Sequence, residues 1–171
     1  MSNQENKTIR ILLANDQELV RAGLRMMFQS ESDLELVGVA NNFEDTLLLS
    51  QKYVPDIVLF DYMIGESNCN VREDNCRLRE GNYIERLPEL LSASPSSKVM
   101  ILTACLNRER HLLALRNGAI GVFILNQPIQ MLIKAIHKVY SGEVWLTNSL
   151  ANEMLRGFNN SPPPATLCLY R

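Results

Sequence analysis

The chain alternates between short, almost wholly apolar runs and longer segments in which apolar residues recur at helical spacing. The apolar runs lack the strict alternation of a strand that has one face in water. They are Ile9–Ala14, Glu35–Ala40, Ile57–Phe60, Val99–Leu102 and Val122–Leu125. Such runs are typical of strands buried on both faces, as in a parallel sheet.

The intervening segments carry apolar residues three or four positions apart, which predicts amphipathic helices. Their stripes begin at Leu19, Phe43, Tyr83, Leu112 and Ile129. The last stripe is the clearest, since Pro128 precedes it and Gly142 follows it, as at helix boundaries. Pro88 is unusual in the third stripe, because proline disrupts the interior of a helix. Alternating strands and helices predict βαβ units, and hence a doubly wound α/β sheet with helices on both faces.

Two segments do not fit this repeat and set the predicted domain boundaries. Residues 66–80 are polar with mixed charge, so we expect a mobile insertion loop there. Residues 161–171 begin with Ser-Pro-Pro-Pro, which is typical of an extended linker. We therefore predict an N-terminal tail over residues 1–8, one domain over residues 9–156, and a linker or tail over residues 157–171.

Composition narrows the class of protein. With 171 residues, 46% of them hydrophobic, the chain is long enough for one domain with a substantial core. A net charge of −2 argues against direct binding of nucleic acid. Residues 1–8 contain no apolar signal segment, and the apolar runs are too short to span a bilayer, so we expect a cytoplasmic protein without membrane contact.

The cysteines and histidines give little indication of a site. The four cysteines are scattered without a Cys-x-x-Cys pair, which favours free thiols in a reducing cytosol. A Cys69–Cys76 disulfide or a metal site is the alternative, although neither histidine is close in sequence. His111 falls in a charged turn, and His137 falls on the polar side of the last predicted helix.

Acidic and amide residues directly follow two of the apolar runs. Asn15 and Asp16 come after the first run, and Asp61 comes after the third. Ligands of parallel α/β sheets bind beyond the carboxyl ends of the strands, so these residues form the candidate site. Their oxygen atoms suit Mg²⁺, which would neutralise an incoming phosphate and let Asp61 act as a nucleophile. Asp16 alone has a competing interpretation as a helix N-cap.

Five short motifs resemble the receiver domains of response regulators, in the family of the LuxR-type (NarL/FixJ-like) regulators. The motifs are Leu12–Leu24, Pro55–Asp61, Val99–Ala104, Gly118–Gly121 and Gly142–Leu146. They occur in order over roughly residues 9–155, interrupted by residues 66–80. The resemblance implies a flavodoxin-like receiver fold, with a five-stranded parallel sheet in the order 2-1-3-4-5.

The resemblance also implies roles for individual residues. Asp61 would accept a phosphoryl group, and Thr103 would contact that group and report its presence. Mg²⁺ would be held by Asp16, Asp61 and the backbone carbonyl of Met63, with a weak contribution from Asn15. A sensor histidine kinase or another signalling protein would be the partner, and a homodimer is an open alternative.

Several residues depart from the family pattern and weaken the implied site. The family usually has a second acid where this chain has Asn15, and a lysine where it has Leu125. A switch aromatic usually occupies the position of Val122, and the neighbouring Phe123 would face the other side of the strand. Gly65 replaces the usual proline after the acceptor loop. We therefore expect weakened binding of Mg²⁺ and of the phosphoryl group.

These observations leave two functions open and disfavour a third. The chain is predicted to accept a phosphoryl group and so switch a protein interaction or transcriptional output. Alternatively, it is a degenerate receiver that acts as a phosphorylation-independent interaction module. An enzyme is not expected, because a haloacid-dehalogenase-type phosphatase would need an aspartate where this chain has Met63, and no P-loop occurs.

The resemblance also bears on output and partner contacts. The relatives carry a helix-turn-helix domain after the receiver, and residues 157–171 are too few for one, so we expect no direct binding of nucleic acid by this chain. We expect the partner surface on the last helix and the fifth strand, where Lys134 and Lys138 share one side of the helix.

Overall fold

The structure is a computed structural model, and it describes residues 7–65 and 83–158. The strands are β1 (Ile9–Ala14), β2 (Leu34–Ala40), β3 (Ile57–Phe60), β4 (Lys98–Thr103) and β5 (Gly121–Ile124). The helices are α1 (Glu18–Ser30), α2 (Phe43–Tyr53), α3 (Leu87–Ala93), α4 (Arg108–Arg116), α5 (Ile129–Tyr140) and α6 (Asn148–Phe158). The predicted insertion loop over residues 66–80, the tail that was expected after residue 161, and Cys69, Cys76 and Cys168 lie outside the described residues.

The five strands form one parallel sheet in the order β2-β1-β3-β4-β5, so the predicted fold class is confirmed. Two of the predicted strands, β1 and β3, have the predicted bounds. The fifth strand ends one residue earlier than predicted, at Ile124. Leu125 and Asn126 already form a turn, which leads the chain toward Pro128 and the start of α5.

Helices cover both faces of the sheet and divide the core in two. One side packs residues of α2, α3 and α4 against the sheet, including Phe43, Leu87 and Leu112. The other side packs α1 and α5, including Phe28 and Ile136. Every residue of β3 is buried, as expected for a central parallel strand.

The third helix is shorter than its apolar stripe suggested. Residues 83–86 form turns, and α3 begins only at Leu87. Pro88 therefore lies in the first helical turn, where a backbone N–H would have no partner within the helix. This placement explains how the helix accommodates the proline.

Glycines allow two close approaches around β5. Gly118 has a φ of +106°, and a Cβ atom there would lie 2.4 Å from Leu91 Cδ1. At Gly121, a Cβ atom would lie 2.9 Å from the backbone oxygen of Trp145. This close approach lets Trp145 bridge to Gly121 and accept a hydrogen bond from the Val122 N–H at 2.9 Å. The segment after α5 is thereby held along the edge strand.

The sixth helix, α6, did not figure in the sequence prediction. It follows Thr147, whose Oγ1 accepts the Leu150 N–H at 3.3 Å, and it runs through Phe158. Leu150 is buried in the same core as α4, and a 2.5 Å ion pair joins Arg108 of α4 to Glu153 of α6. Helix α6 therefore lies against α4. In the described part of the chain, no helix is both long and apolar enough to cross a membrane.

Candidate functional site

The predicted site residues Asn15, Asp61 and Thr103 come together at the carboxyl ends of β1, β3 and β4. All three are buried, and Asp61 is only 2% exposed. The pairing of the central strands sets their register, with Ala14 opposite Phe60 and Phe60 opposite Ile101. The Asp61 N–H extends this pairing by donating to the Ala14 carbonyl at 2.9 Å.

The Asp61 carboxylate accepts hydrogen bonds on both oxygens. Its Oδ1 accepts the Met63 backbone N–H at 2.9 Å, and its Oδ2 accepts the Asn15 Nδ2–H at 3.0 Å. Burying a carboxylate is costly, and donors of this kind offset part of that cost. The backbone oxygen of Asp61 accepts the Ile64 N–H at 3.1 Å, which closes a turn after β3.

Asn15 is oriented by its second hydrogen bond. Its Oδ1 accepts the Gln17 N–H at 2.8 Å, which directs the amide NH₂ group toward Asp61. An oxygen that already accepts this bond is less available to a cation, and as an amide it brings no charge. Arg21 supports the same loop, because it donates to the Asn15 carbonyl at 3.1 Å and to Asn41 Oδ1 at 2.7 Å.

Asp16 connects the loop after β1 to the loop after β3. Its Oδ2 accepts the Gly65 N–H at 2.7 Å, so a second carboxylate stands beside the segment that follows Asp61. Gly65 has a φ of +83°, a conformation that glycine adopts without strain. Among the described residues, no group of three or more His, Cys, Asp or Glu side chains is arranged for a metal ion. A cation here would depend on two carboxylates and backbone oxygen.

Thr103 ends β4 with a buried hydroxyl. Its Oγ1 accepts the Cys105 N–H at 3.1 Å, and its carbonyl accepts the Leu125 N–H at 2.9 Å. Thr103 therefore contacts the loop that leads to α4 through its side chain and the end of β5 through its backbone carbonyl.

The two positions that depart most from the family pattern hold apolar residues in apolar surroundings. Leu125 is half-buried and packs against the core beneath α1 and α5. Val122 is buried on the α4 side, and Phe123 faces the opposite core, as the alternation of a strand predicts. No lysine occurs between Lys98 and Lys134. Lys98 lies at the start of β4, and its Nζ donates to the Tyr140 carbonyl. The described site therefore has no lysine at the end of β5.

Three residues near Asp61 were missed or misjudged from the sequence. Tyr62 is buried beside the side chains of Cys105 and Thr103, and burial raises its pKa. Arg110 is buried, and its Nη1 lies 2.9 Å from Met63 Sδ. His111 lies buried in α4 and not in a charged turn as expected. Tyr62 could have been found from its place after the acceptor strand, whereas the flanking charges of His111 concealed its burial.

The histidine tautomer follows from its partner. His111 Nε2 lies 3.0 Å from the Cys105 carbonyl, which can only accept, so Nε2 carries the proton and donates it. Burial lowers the pKa of His111, which keeps the ring neutral. The loop from Thr103 to α4 is thus held by Thr103 at one end and His111 at the other. Of the four cysteines, the described Cys105 is a free thiol.

Comparisons with known proteins were made on the sequence and on the fold. No protein-family model matches the chain. The oxygen regulatory protein NreC of Staphylococcus aureus is 29% identical over 164 residues, covering 92% of this chain and 69% of NreC. A LuxR-family two-component response regulator from Aurantimonas sp. SI85-9A1 superposes with a TM-score of 0.70, at 22% identity, over 88% of this chain and 98% of that one.

A further structural neighbour is the signal receiver domain of the response regulator NarL from Mycobacterium tuberculosis. It has a TM-score of 0.65 at 20% identity and covers 80% of this chain and 99% of its own. The structural neighbours establish the fold, and the sequence similarity to NreC extends along most of the chain. Strand order and site position agree with these neighbours, and the chain has the fold of the receiver domains of response regulators.

Proposed function

We propose that this receiver accepts a phosphoryl group on Asp61 and thereby switches a protein interaction or a transcriptional output. The observation that carries the proposal is the buried Asp61 carboxylate at the carboxyl end of β3, flanked by Asn15 and Thr103. Folds of this kind bind their ligands beyond the carboxyl ends of the parallel strands, and a buried, hydrogen-bonded aspartate lies there.

The proposed reaction is a transfer between two proteins. A sensor histidine kinase presents a phosphohistidine, and an Asp61 oxygen attacks the phosphorus atom. The new P–O bond makes an acyl phosphate, while the P–N bond breaks and the imidazole leaves with a proton from solvent. Thr103 Oγ1 then gives up its bond from the Cys105 N–H and turns its hydroxyl toward the phosphoryl group.

Mg²⁺ is the cation that these residues fit. Asp16, Asp61 and the Met63 carbonyl would hold it, and all three supply the hard oxygen ligands that Mg²⁺ requires. When bound, it would supply positive charge next to the incoming phosphoryl group. The neutral Asn15, whose Oδ1 already accepts the Gln17 N–H, lowers the expected affinity.

Leu125 is the main reason to expect slow phosphorylation. A cation near the acceptor would stabilise negative charge as it develops on the phosphoryl group, and leucine provides none. This deficiency is what supports the alternative of a phosphorylation-independent interaction module. The relatives do not favour that alternative, since they are named as an oxygen regulatory protein and as a two-component response regulator.

A labelling experiment separates the two functions. Purified protein is incubated with acetyl phosphate and Mg²⁺, and the added phosphoryl mass is followed over time on the intact chain. We expect weak labelling of wild type and at least about 10-fold faster labelling of Leu125→Lys, alone or with Asn15→Asp, because one electrostatic contact in such a site contributes about that much or more. Leu125→Met is the matched control, since it keeps an apolar side chain.

The Asp61→Asn substitution is expected to abolish labelling in every background. Labelling that persists in Asp61→Asn would place the acceptor elsewhere and contradict the proposal. A folded Leu125→Lys/Asn15→Asp protein that never labels would contradict it too, and would favour the interaction module. Fast and stoichiometric labelling of wild type would instead show that another residue supplies the missing charge.

A further inference from the structure

An open groove of about 670 Å³ lies between α4 and α6. All of its lining residues are polar or charged, and all but Glu153 are exposed. They are Arg108 and Arg116 of α4 and Ser149, Asn152, Glu153 and Arg156 of α6. The residues of α6 recur three, four and seven positions after Ser149, so they share one face of that helix. The groove is therefore formed by two helices that the fold brings together.

The charge of this groove is opposite to that of the whole chain. Three guanidinium groups against one carboxylate give the groove a formal charge of +2, whereas the chain carries −2. An acidic overall composition does not predict three arginines around one groove, so this concentration of charge arises from the packing of α6 beside α4. A local excess of positive charge attracts acidic ligands.

The single carboxylate of the groove neutralises only one of its arginines. Arg108 Nε pairs with Glu153 at 2.5 Å, and Arg108 Nη2 donates to the Ser149 carbonyl at 3.2 Å. Arg116 and Arg156 are exposed, and neither makes a hydrogen bond or an ion pair within the described ranges 7–65 and 83–158. Each lies in the last turn of its helix, where a cation also stabilises the helix dipole. That effect explains each arginine separately, but it does not require both to line one groove.

The guanidinium groups indicate the chemistry of the ligand. A guanidinium can donate two parallel hydrogen bonds to a carboxylate or a phosphate. The Glu153 carboxylate against Arg108 is an example of a carboxylate already seated in this groove. We therefore expect further carboxylates to pair with Arg116 and Arg156 in the same way.

The shape and the charge of the groove favour a segment of a protein as the ligand. Small-molecule sites are mostly apolar and enclose most of their ligand, whereas this groove is polar and exposed. Nucleic acid is disfavoured, because proteins that bind it carry an extended basic surface, and this chain has a net charge of −2. An acidic peptide can place a few carboxylates along the groove without requiring a basic surface beyond it.

We propose that the α4–α6 groove binds an acidic segment of a partner protein through Arg116 and Arg156. Carboxylates of that segment pair with the two guanidinium groups, while Arg108, held by Glu153, lies beside them. The bound segment contacts both helices and so holds α6 against α4. This interaction requires no phosphoryl group on Asp61, and it stands independently of the proposed function.

An NMR titration of ¹⁵N-labelled, unphosphorylated protein with a short oligoglutamate peptide tests the site. The titration is done at low ionic strength, because salt screens exposed charges. We expect saturable changes in the amide shifts of residues 108–116 and 149–156. Arg116→Gln/Arg156→Gln should weaken binding by about 5-fold, the loss expected for two exposed ion pairs. Glu153→Gln should strengthen binding by about 2-fold, because it removes a carboxylate that competes with the peptide.

Arg25→Gln/Lys52→Gln is the matched control, since it removes the same charge from exposed side chains that do not line the groove. This control should bind the peptide like wild type. Equal weakening by the control, or the lack of saturable binding to wild type, would overturn the site. Tighter binding of a single-stranded oligonucleotide of equal charge would overturn the proposed class of partner.

Discussion

Individual residues at the Asp61 site donate neutral hydrogen bonds, whereas a phosphoryl-accepting site benefits from positive charge. Asn15 and the Met63 N–H give the carboxylate two neutral donors, which suffice for an unmodified buried aspartate. They do not match the extra negative charge of a phosphoryl group. Leu125 adds hydrocarbon at the end of β5, and Asp16 is already engaged by the Gly65 N–H. The site is therefore better adapted to holding Asp61 than to stabilising its phosphorylated form.

His111 gives the protein a predictable dependence on pH. Its pKa is lowered in the folded state, chiefly by burial, so the folded protein binds this proton less readily than the unfolded chain. The stability contributed by the neutral ring is fully present above the unfolded pKa and is lost as pH falls through the folded pKa. We expect the free energy of unfolding, measured by urea titration, to fall between about pH 7 and pH 5.

His111→Gln should show a smaller fall, since the glutamine amide can still donate to the Cys105 carbonyl but cannot take up a proton. His137→Gln is the control for the second histidine, which pairs with Asp33 at 2.7 Å on the other side of the sheet. If His111→Gln loses as much stability as wild type over this range, His111 is not the source of the effect.

The sequence predicted secondary-structure elements best where burial alone determines the pattern. Each of β1 and β3 is a continuous apolar run, and their bounds were predicted correctly because a strand between two layers of helices needs no polar face. The site residues Asn15, Asp61 and Thr103 followed from strand ends. Helix α3 was placed too early, since residues 83–86 form turns in which Tyr83 and Ile84 continue the same apolar spacing.

The packing of α6 and the burial of Tyr62 depended on tertiary contacts that periodicity does not encode. Helix α6 has an apolar stripe of its own, but the packing of that stripe depends on the path of the preceding segment, in which Trp145 runs beside Gly121. The Tyr62 side chain lies under α4 because Arg110 and His111 cover it, and neither of those residues carries a sequence signal for burial.

Leu150 is the apolar anchor of α6, so its truncation tests whether this helix belongs to the fold. The side chain is 3% exposed within the core that includes α4. We expect Leu150→Ala to lower the free energy of unfolding by about 2–4 kcal/mol, because it removes apolar contact and leaves a cavity. Urea titration measures the loss, and amide exchange should accelerate along residues 148–158.

Leu155→Ala is the matched control on the same helix, since Leu155 is 38% exposed and should cost much less. Equal effects of the two substitutions would mean that α6 does not pack on α4 through Leu150.

At the scale of the whole molecule, two surfaces compete as the place where a partner binds. The sequence pointed to the last helix, with Lys134 and Lys138. Lys138 is half-buried and bonded to both oxygens of Glu143, at 3.0 and 2.9 Å, so it offers less free charge than expected. On α1, by contrast, Leu19 is 84% exposed and Met26 is 73% exposed.

The exposed residues of α1 have the spacing of a contact face. One stripe along the helix begins at Leu19 and continues three, four and seven positions later with Ala22, Gly23 and Met26. Gly23 would have nothing within 4 Å of an added Cβ atom, and its lack of a side chain allows another backbone to approach closely. Large apolar side chains around small ones favour the packing of a second helix against this face.

We therefore predict that α1, and not Lys134 of α5, is the main surface for self-association of the receiver. Sedimentation velocity over a range of concentrations, with and without Mg²⁺ and beryllofluoride, would compare wild type with Leu19→Asp/Met26→Asp and with Lys134→Glu. The double substitution on α1 should weaken self-association by at least about 10-fold, since burying two carboxylates at an apolar contact costs more than about 1.4 kcal/mol. Lys134→Glu should behave like wild type, because its side chain is exposed and a solvated charge contributes little.

Dissociation by Lys134→Glu alone would favour the α5 surface, and a wild-type protein that remains monomeric in both states would exclude self-association through either one.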